Sequence, residues 1–154
     1  MDRLRGIYET HLPVADLDRA TAFYVDTLGF EPDGPPGFLF LHDGDQRWML
    51  GLYEGETGER RHPRERHVSF RVAEADADGM VEWLRDRNIT PVHPPSAPRD
   101  GPMAEPIVFG WMPAAAVFFE DPDGNLLELV ADLSDEPRPD VGYVPLSEWR
   151  ASVG

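Results

Sequence analysis

The 154-residue chain is 41% hydrophobic, enough for a packed core and too much for a disordered chain, and no stretch approaches the roughly 20 apolar residues that span a bilayer. Its 29 acidic residues outnumber 14 basic ones, all arginine, for a formal net charge of −15; this excludes nucleic acid and anionic membrane as partners and favours a cationic ligand. With no cysteine there is no disulfide framework or thiolate, and MDRLRGIYET lacks the apolar core of a signal peptide, so a cytoplasmic protein is expected.

In chain order, Ile7 to Val14 reads as a strand with Glu9 and His11 on one face and Tyr8, Thr10 and Leu12 on the other. Asp16 is a candidate N-cap for a helix running to about Leu28, with Ala20, Phe23, Tyr24, Thr27 and Leu28 as its apolar stripe and Gly29 as its terminator. After a Pro/Gly loop, strands at Phe38 to Leu41 and Trp48 to Tyr53 flank the turn His42-Asp43-Gly44-Asp45. Arg60 to Arg66 is a charged linker. The plan then repeats. His67 to Val72 is a strand, and Ala75 to Arg87 a helix with Ala77, Met80, Val81 and Leu84 inward. A further strand is expected at Ile89 to Val92. Val117 to Glu120 and Leu126 to Val130 form a hairpin around Asp121-Pro122-Asp123-Gly124. The intervening Pro94 to Pro113 carries Met103, Ile107, Val108, Phe109 and Trp111 and is expected to be a mobile cover. In the tail, Val144, Leu146 and Trp149 are candidate anchors to the body or to a second subunit.

The two halves say nearly the same thing: Val14-Ala15-Asp16 recurs as Val72-Ala73-Glu74, 58 residues on. This gives a single domain over residues 1–131, made of one module at about 5–56, a linker at 57–66 and a second module at about 67–131, with a tail at 132–154. One half buries too little surface to stand alone. Two together create a shared concave surface, where function is expected.

VADLDRATAFYVDTLGF, its echo HVSFRVAEADADGMVEWLRDRNI, and FFEDPDGNLLELV together resemble the vicinal oxygen chelate superfamily, from about residue 7 to 131. That group includes glyoxalase I, extradiol dioxygenases and bleomycin-resistance proteins. The stretch from GWMPAAAVFFEDPDGN to SEW resembles a bacterial subgroup usually labelled glyoxalase/bleomycin resistance. The resemblance implies an α+β fold of two tandem βαβββ modules forming an open, mixed-sheet barrel. It also implies one divalent metal ion (Fe, Mn, Ni, Co or Zn undistinguished), with ligands on the first and last strand of each module.

Carried over by position, the second module supplies His67, seven residues before Glu74, and Glu128, an acid alone in Leu-Leu-Glu-Leu-Val. A buried carboxylate without a partner is costly and wants a cation or hydrogen-bond donors; an acid on the wet face of an edge strand is the plainer alternative. The first module departs from the pattern. Glu9 overlays His67, His11 overlays Ser69, and Gly51 stands at the fourth ligand position. The metal set is therefore Glu9, His67 and Glu128, with His11 as the alternative to Glu9. Residues i and i+2 lie about 6.8 Å apart along a strand, too far for easy joint ligation through bonds of roughly 2.0–2.2 Å. His11 and Glu128 are the candidates for moving a proton. If His11 is the ligand, a His-His-carboxylate set of the non-haem iron type results.

His42, His62 and His93 read as exposed or outlying. Arg47 and Arg71 read as surface pairs of the abundant acids, with a substrate carboxylate as the alternative. Phe40, Trp48, Trp111 and Phe118 read as core or cover packing. Ser-His-Asp and phosphate-loop patterns are absent. The expected function is metal-dependent lyase or isomerase chemistry on a small oxygen-bearing substrate, through stabilisation of an enolate-like anion. The alternatives are a metal-free protein sequestering a cationic drug and a non-haem iron dioxygenase. The expected partners are a small-molecule substrate or drug and a second copy in a homodimer.

Overall fold

A computed structural model describes residues 9–44, 46–54, 67–94 and 101–153, with the side chains of Glu9, Asp43, Gln46 and Val153 excepted. Ile7, Tyr8, the linker and its His62 lie outside the described residues. The chain divides into two compact units, Met1–Arg66 with Asp121–Asn125, and His67–Glu120 with Leu126–Gly154. No helix among the described residues is long and apolar enough to cross a membrane.

The first unit contains β1 (Glu9–Val14), α1 (Leu17–Ala22) running on as a π-helical turn over Phe23–Thr27, β2 (Glu31–Pro32), β3 (Phe38–Asp43) and β4 (Gln46–Glu54). Its four-stranded sheet has the order β1-β4-β3-β2, with β1 parallel to β4 and the other pairs antiparallel. Asp16 caps α1 as expected, its carboxylate accepting from the Arg19 N–H at 2.8 Å. Ala20 and Tyr24 from the expected stripe are buried, as are Leu12, Val14, Leu39, Leu50 and Leu52 of the sheet.

The second unit repeats the frame with β5 (His67–Arg71), a 3-10 turn (Glu74–Gly79), α2 (Met80–Arg85), β6 (Ile107–Phe109), β7 (Ala114–Glu120) and β8 (Leu126–Asp132). It then adds β9 (Tyr143–Pro145) and α3 (Leu146–Val153). The order is β5-β8-β7-β6-β9, with β5 parallel to β8. Ala77, Met80, Val81 and Leu84 are buried, as their helical spacing predicts. The α+β architecture of two βαβββ modules, each a mixed sheet, is thus present.

Several expectations change. The second helix opens as a 3-10 turn behind Ala73, and Glu74, which repeats the N-cap Asp16 of the first half, does not cap it. Its carboxylate instead accepts from the Ser134 N–H and hydroxyl, both at 3.0 Å. Ile89 to Val92 forms only a bridge, Val92 to Phe118. The cover expected at Pro94 to Pro113 is overturned at Ile107–Phe109. Ile107–Phe109 is an interior strand between β7 and β9, buried throughout, because its backbone groups find ladder partners on both sides. Pro95 to Asp100 lie outside the described residues.

The tail closes on this second unit. Trp149 is fully buried and its Nε1–H donates to Asp135 Oδ2 at 2.7 Å. The Leu146 N–H donates to the Pro106 carbonyl at 2.9 Å. Gly110 permits a close approach: a methyl group there would stand 2.6 Å from the Arg138 carbonyl oxygen. The tail accordingly exchanges backbone hydrogen bonds with Gly110 from Arg138 and Gly142.

Candidate functional site

The period of two along β5 places His67, Ser69 and Arg71 on one face and the half-buried Val68 and Phe70 on the other. Parallel pairing sets Ser69 opposite Glu128, and the antiparallel β7–β8 ladder sets Phe118 opposite Glu128. One row across three strands therefore holds a hydroxyl, a carboxylate and an aromatic ring. The His67 Nε2–H donates to Glu128 Oε2 at 2.9 Å, and the Ser69 hydroxyl donates to the same oxygen. Ser69 Oγ also lies 3.1 Å from His67 Nε2. The His67 ring stacks on Phe118 with centroids 5.8 Å apart and planes at 29°, which limits its rotation.

Burial divides the pair. The Glu128 side chain is only 7% exposed, whereas that of His67 is 41% exposed. A carboxylate taken out of water needs donors or a cation, and here it has two donors on one oxygen. The arrangement also suits a cation. Two donor atoms at right angles on one octahedral ion, with bonds of about 2.1 Å, stand about 3.0 Å apart, close to the 2.9 Å seen between Nε2 and Oε2. Holding an ion there requires the His67 proton to move to Nδ1, leaving Nε2 as a lone-pair donor. Among the described residues no group of three or more His, Cys, Asp or Glu could hold a metal. The backbone of Glu9 opens β1 opposite Met49, while its side chain lies outside the described residues.

In the first unit the corresponding row is His11 opposite Gly51, with Phe38 beyond. A methyl group on Gly51 would overlap the His11 imidazole. The missing side chain at the fourth ligand position is thus the space in which the His11 ring lies, edge-on to Phe38 at 6.4 Å. His11 is exposed.

The first unit has a buried polar centre elsewhere. Tyr24 donates its hydroxyl to Asp121 Oδ2 at 2.9 Å, and Asn125 Nδ2 donates to the same oxygen at 2.7 Å. Asp121 Oδ1 accepts from the N–H groups of Asp123 and Asn125. Asp123 Oδ1 accepts from the Ala15 N–H at 2.9 Å and from Arg19 at 2.6 Å. Burial, then the negative charge of Asp121 and the hydrogen bond to it, hold the Tyr24 pKa far above its ordinary value. The Asp-Pro-Asp-Gly-Asn element is therefore a self-folded carboxylate turn that receives the Tyr24 hydroxyl.

Among the remaining candidates, His42, Arg47 and Arg71 have partners of their own. His42 Nε2 is 3.7 Å from Glu31, and His93 is half-buried. Arg47 pairs with Asp33 and covers the Phe40 ring at 3.5 Å; Arg71 pairs with Asp132 at 3.1 Å. Phe40 and Phe118 are buried, while Trp48 and Trp111 are exposed. Ser69 and the supporting ring of Phe118 were not among the expected site residues. The i, i+2 spacing of Ser69 from His67 was the available signal.

Two mixed sheets, in each of which the module's first strand runs parallel to its fourth, define a protein built from a duplicated βαβββ module. The chain belongs to the Glyoxalase/Bleomycin resistance protein/Dioxygenase superfamily, whose profile matches residues 6–129. No curated protein matches it. Among solved structures, a lactoylglutathione lyase from Agrobacterium tumefaciens is similar at 25% identity, covering 82% of this chain and 92% of its own, with a TM-score of 0.53. The antibiotic binding protein TnmS3 from Streptomyces sp. CB03234 is similar at 23% identity, covering 84% and 98%, with a TM-score of 0.55. The oxidase ChaP-H1 is similar at 23% identity, covering 86% and 100%, with a TM-score of 0.58. The last two establish the fold alone. The similar structures thus include a lyase, an oxidase and an antibiotic binding protein.

Proposed function

We propose that this chain is a divalent-metal-dependent enzyme acting on a small oxygen-bearing substrate by lyase or isomerase chemistry, with His67 and Glu128 as metal ligands. The supporting observation is the buried Glu128 carboxylate 2.9 Å from Nε2 of an imidazole whose side chain is partly exposed. In this proposal the third ligand comes from β1, Glu9 with His11 as the alternative, over a domain of residues 1–131. The ion supplies Lewis-acid stabilisation of negative charge on a substrate oxygen. Ser69 fixes the carboxylate by donating to Oε2, as outer partners of metal ligands do. Phe118 holds the imidazole plane. Glu128, with His11 as the other candidate, moves the substrate proton.

Calorimetric titration of Mn²⁺, Ni²⁺ and Zn²⁺ into tag-free protein tests the reading. One Glu128-dependent site per chain is expected, with a rise in melting temperature from preferential binding to the folded state. Glu128→Gln and His67→Ala should abolish it, and His42→Ala should not. Identical titrations in all four proteins would refute the assignment. The exposed rings of Trp111 and Tyr143 on the same unit favour one second reading, a metal-free protein that sequesters an aromatic cationic drug.

A further inference from the structure

Without its tail the second sheet would end at β6. In the first unit the corresponding edge is β2, two exposed residues that include Pro32, and shortness and proline protect an edge against pairing with another chain. β6 is built differently. Ile107–Phe109 is buried throughout, and its outer side is covered by β9, from a segment beyond the matched residues 6–129.

This cover carries its own internal bonds. The Trp149 Nε1–H donates to Asp135 at 2.7 Å, and Arg138 Nη1 donates to Ser152 Oγ at 2.8 Å. Onto the rest of the unit it lays Tyr143, edge-on to Phe109 at 5.4 Å, and Ser147, whose N–H and hydroxyl donate to Glu105 at 2.9 and 3.0 Å. The Gly110 N–H donates to the Gly142 carbonyl at 2.8 Å, and the Leu146 N–H to the Pro106 carbonyl at 2.9 Å. Hydrogen-bonded pairs alternate along an antiparallel ladder. Val108, midway between Pro106 and Gly110 and opposite Val144, therefore turns its backbone N–H and carbonyl outward to the tail.

A three-residue strand centred on such a residue is self-complementary. Two copies related by a two-fold axis at Val108 would exchange both backbone bonds of that pair, and Val144 stands where the second Val108 would. Lifting the tail also bares Phe109, which adds apolar surface for a contact. We infer that the C-terminal segment is an edge guard: it occupies on β6 the place that β6 of a second copy takes when the segment lifts. The guard sets whether the second sheet ends in this chain or continues into another, and it is independent of the metal reading.

Analytical ultracentrifugation of variants of the whole chain, with amide hydrogen exchange, tests this. At Gly110 an added Cβ meets tail atoms first, the Arg138 and Gly142 carbonyl oxygens at 2.6 and 3.2 Å and Val141 at 3.2 Å, so Gly110→Val wedges any tail away. Trp149→Ala changes only the tail and loosens its hold. As concentration rises, both variants should approach twice the wild-type mass, with Leu146 losing amide protection while Val108 keeps it. Gly51→Ala, which strains the other unit against His11, should stay at the wild-type mass. A peptide of residues 132–154, added in excess, should return Trp149→Ala to the wild-type mass and leave Gly110→Val associated. Wild-type mass in both tail variants, association of Gly51→Ala, association with Val108 unprotected, or peptide reversal in both variants or in neither would each overturn the edge guard.

Discussion

Ser69 opposite Glu128 and His11 opposite Gly51 occupy the same register position in two copies of one sheet frame. In the second unit the last strand supplies the long polar side chain and the first strand a short hydroxyl. In the first unit the last strand is bare and the first strand supplies an imidazole that fills the vacated space. The frame fixes where a side chain can stand, and the residue types decide whether a carboxylate is buried there. Among the described residues, only the second copy keeps a buried acid on this face, while the first unit has its buried acid in the Tyr24–Asp121 turn. Duplication has preserved the scaffold and separated the chemistry.

If Glu128 is retained for binding, removing its charge should not harm folding. The double variant His67→Leu, Glu128→Leu is expected to leave the metal-free protein as stable or to raise its stability by about 1–4 kcal/mol in urea unfolding, as apolar replacement of both members of a buried pair often does. A large loss would make the carboxylate structural. In contrast, the buried acid of the first unit is structural. Tyr24→Phe strips a donor from it and should cost about 1.5–3 kcal/mol. Its sign with pH is fixed by the raised pKa of Tyr24. The contribution is complete below the unfolded tyrosine value of about 10 and declines as pH rises above it. The gap between wild type and Tyr24→Phe should therefore narrow above pH 10, measurable by chemical denaturation at stepped pH.

The bare position can be probed directly. Gly51→Ala should destabilise by about 1–3 kcal/mol through overpacking against His11, and the double variant with His11→Ala should recover most of it. A double-mutant cycle without coupling would break the account of why that strand is bare. The mirror change, Ser69→Ala, should weaken metal affinity by about 10–100-fold, as loss of an outer partner does, with little change in melting temperature. Smallest of all, Arg71→Gln removes an exposed pair with Asp132 and should alter stability by less than about 0.5 kcal/mol.

Much of this was legible in the residues. Period-two alternation and the Asp-Gly turns located the long strands. The 58-residue echo identified the duplication, and the acid in Leu-Leu-Glu-Leu-Val marked Glu128. What escaped was short or distant. β6 spans three residues in a proline-rich stretch, too few to show a period. Glu74 reaches Ser134, sixty residues on, instead of its own helix, because a capping acid and a long-range acceptor look alike in sequence. Ser69 gains meaning only when strand register brings it to Glu128, and Tyr143 only when the tail joins the sheet.

The most direct measurement follows the imidazole signals of the protein by NMR while substoichiometric Mn²⁺ is added. The account predicts that the His67 resonances broaden first, and that this selective broadening disappears in Glu128→Gln. Uniform broadening of all imidazoles, or an unaltered His67 response in Glu128→Gln, would contradict it.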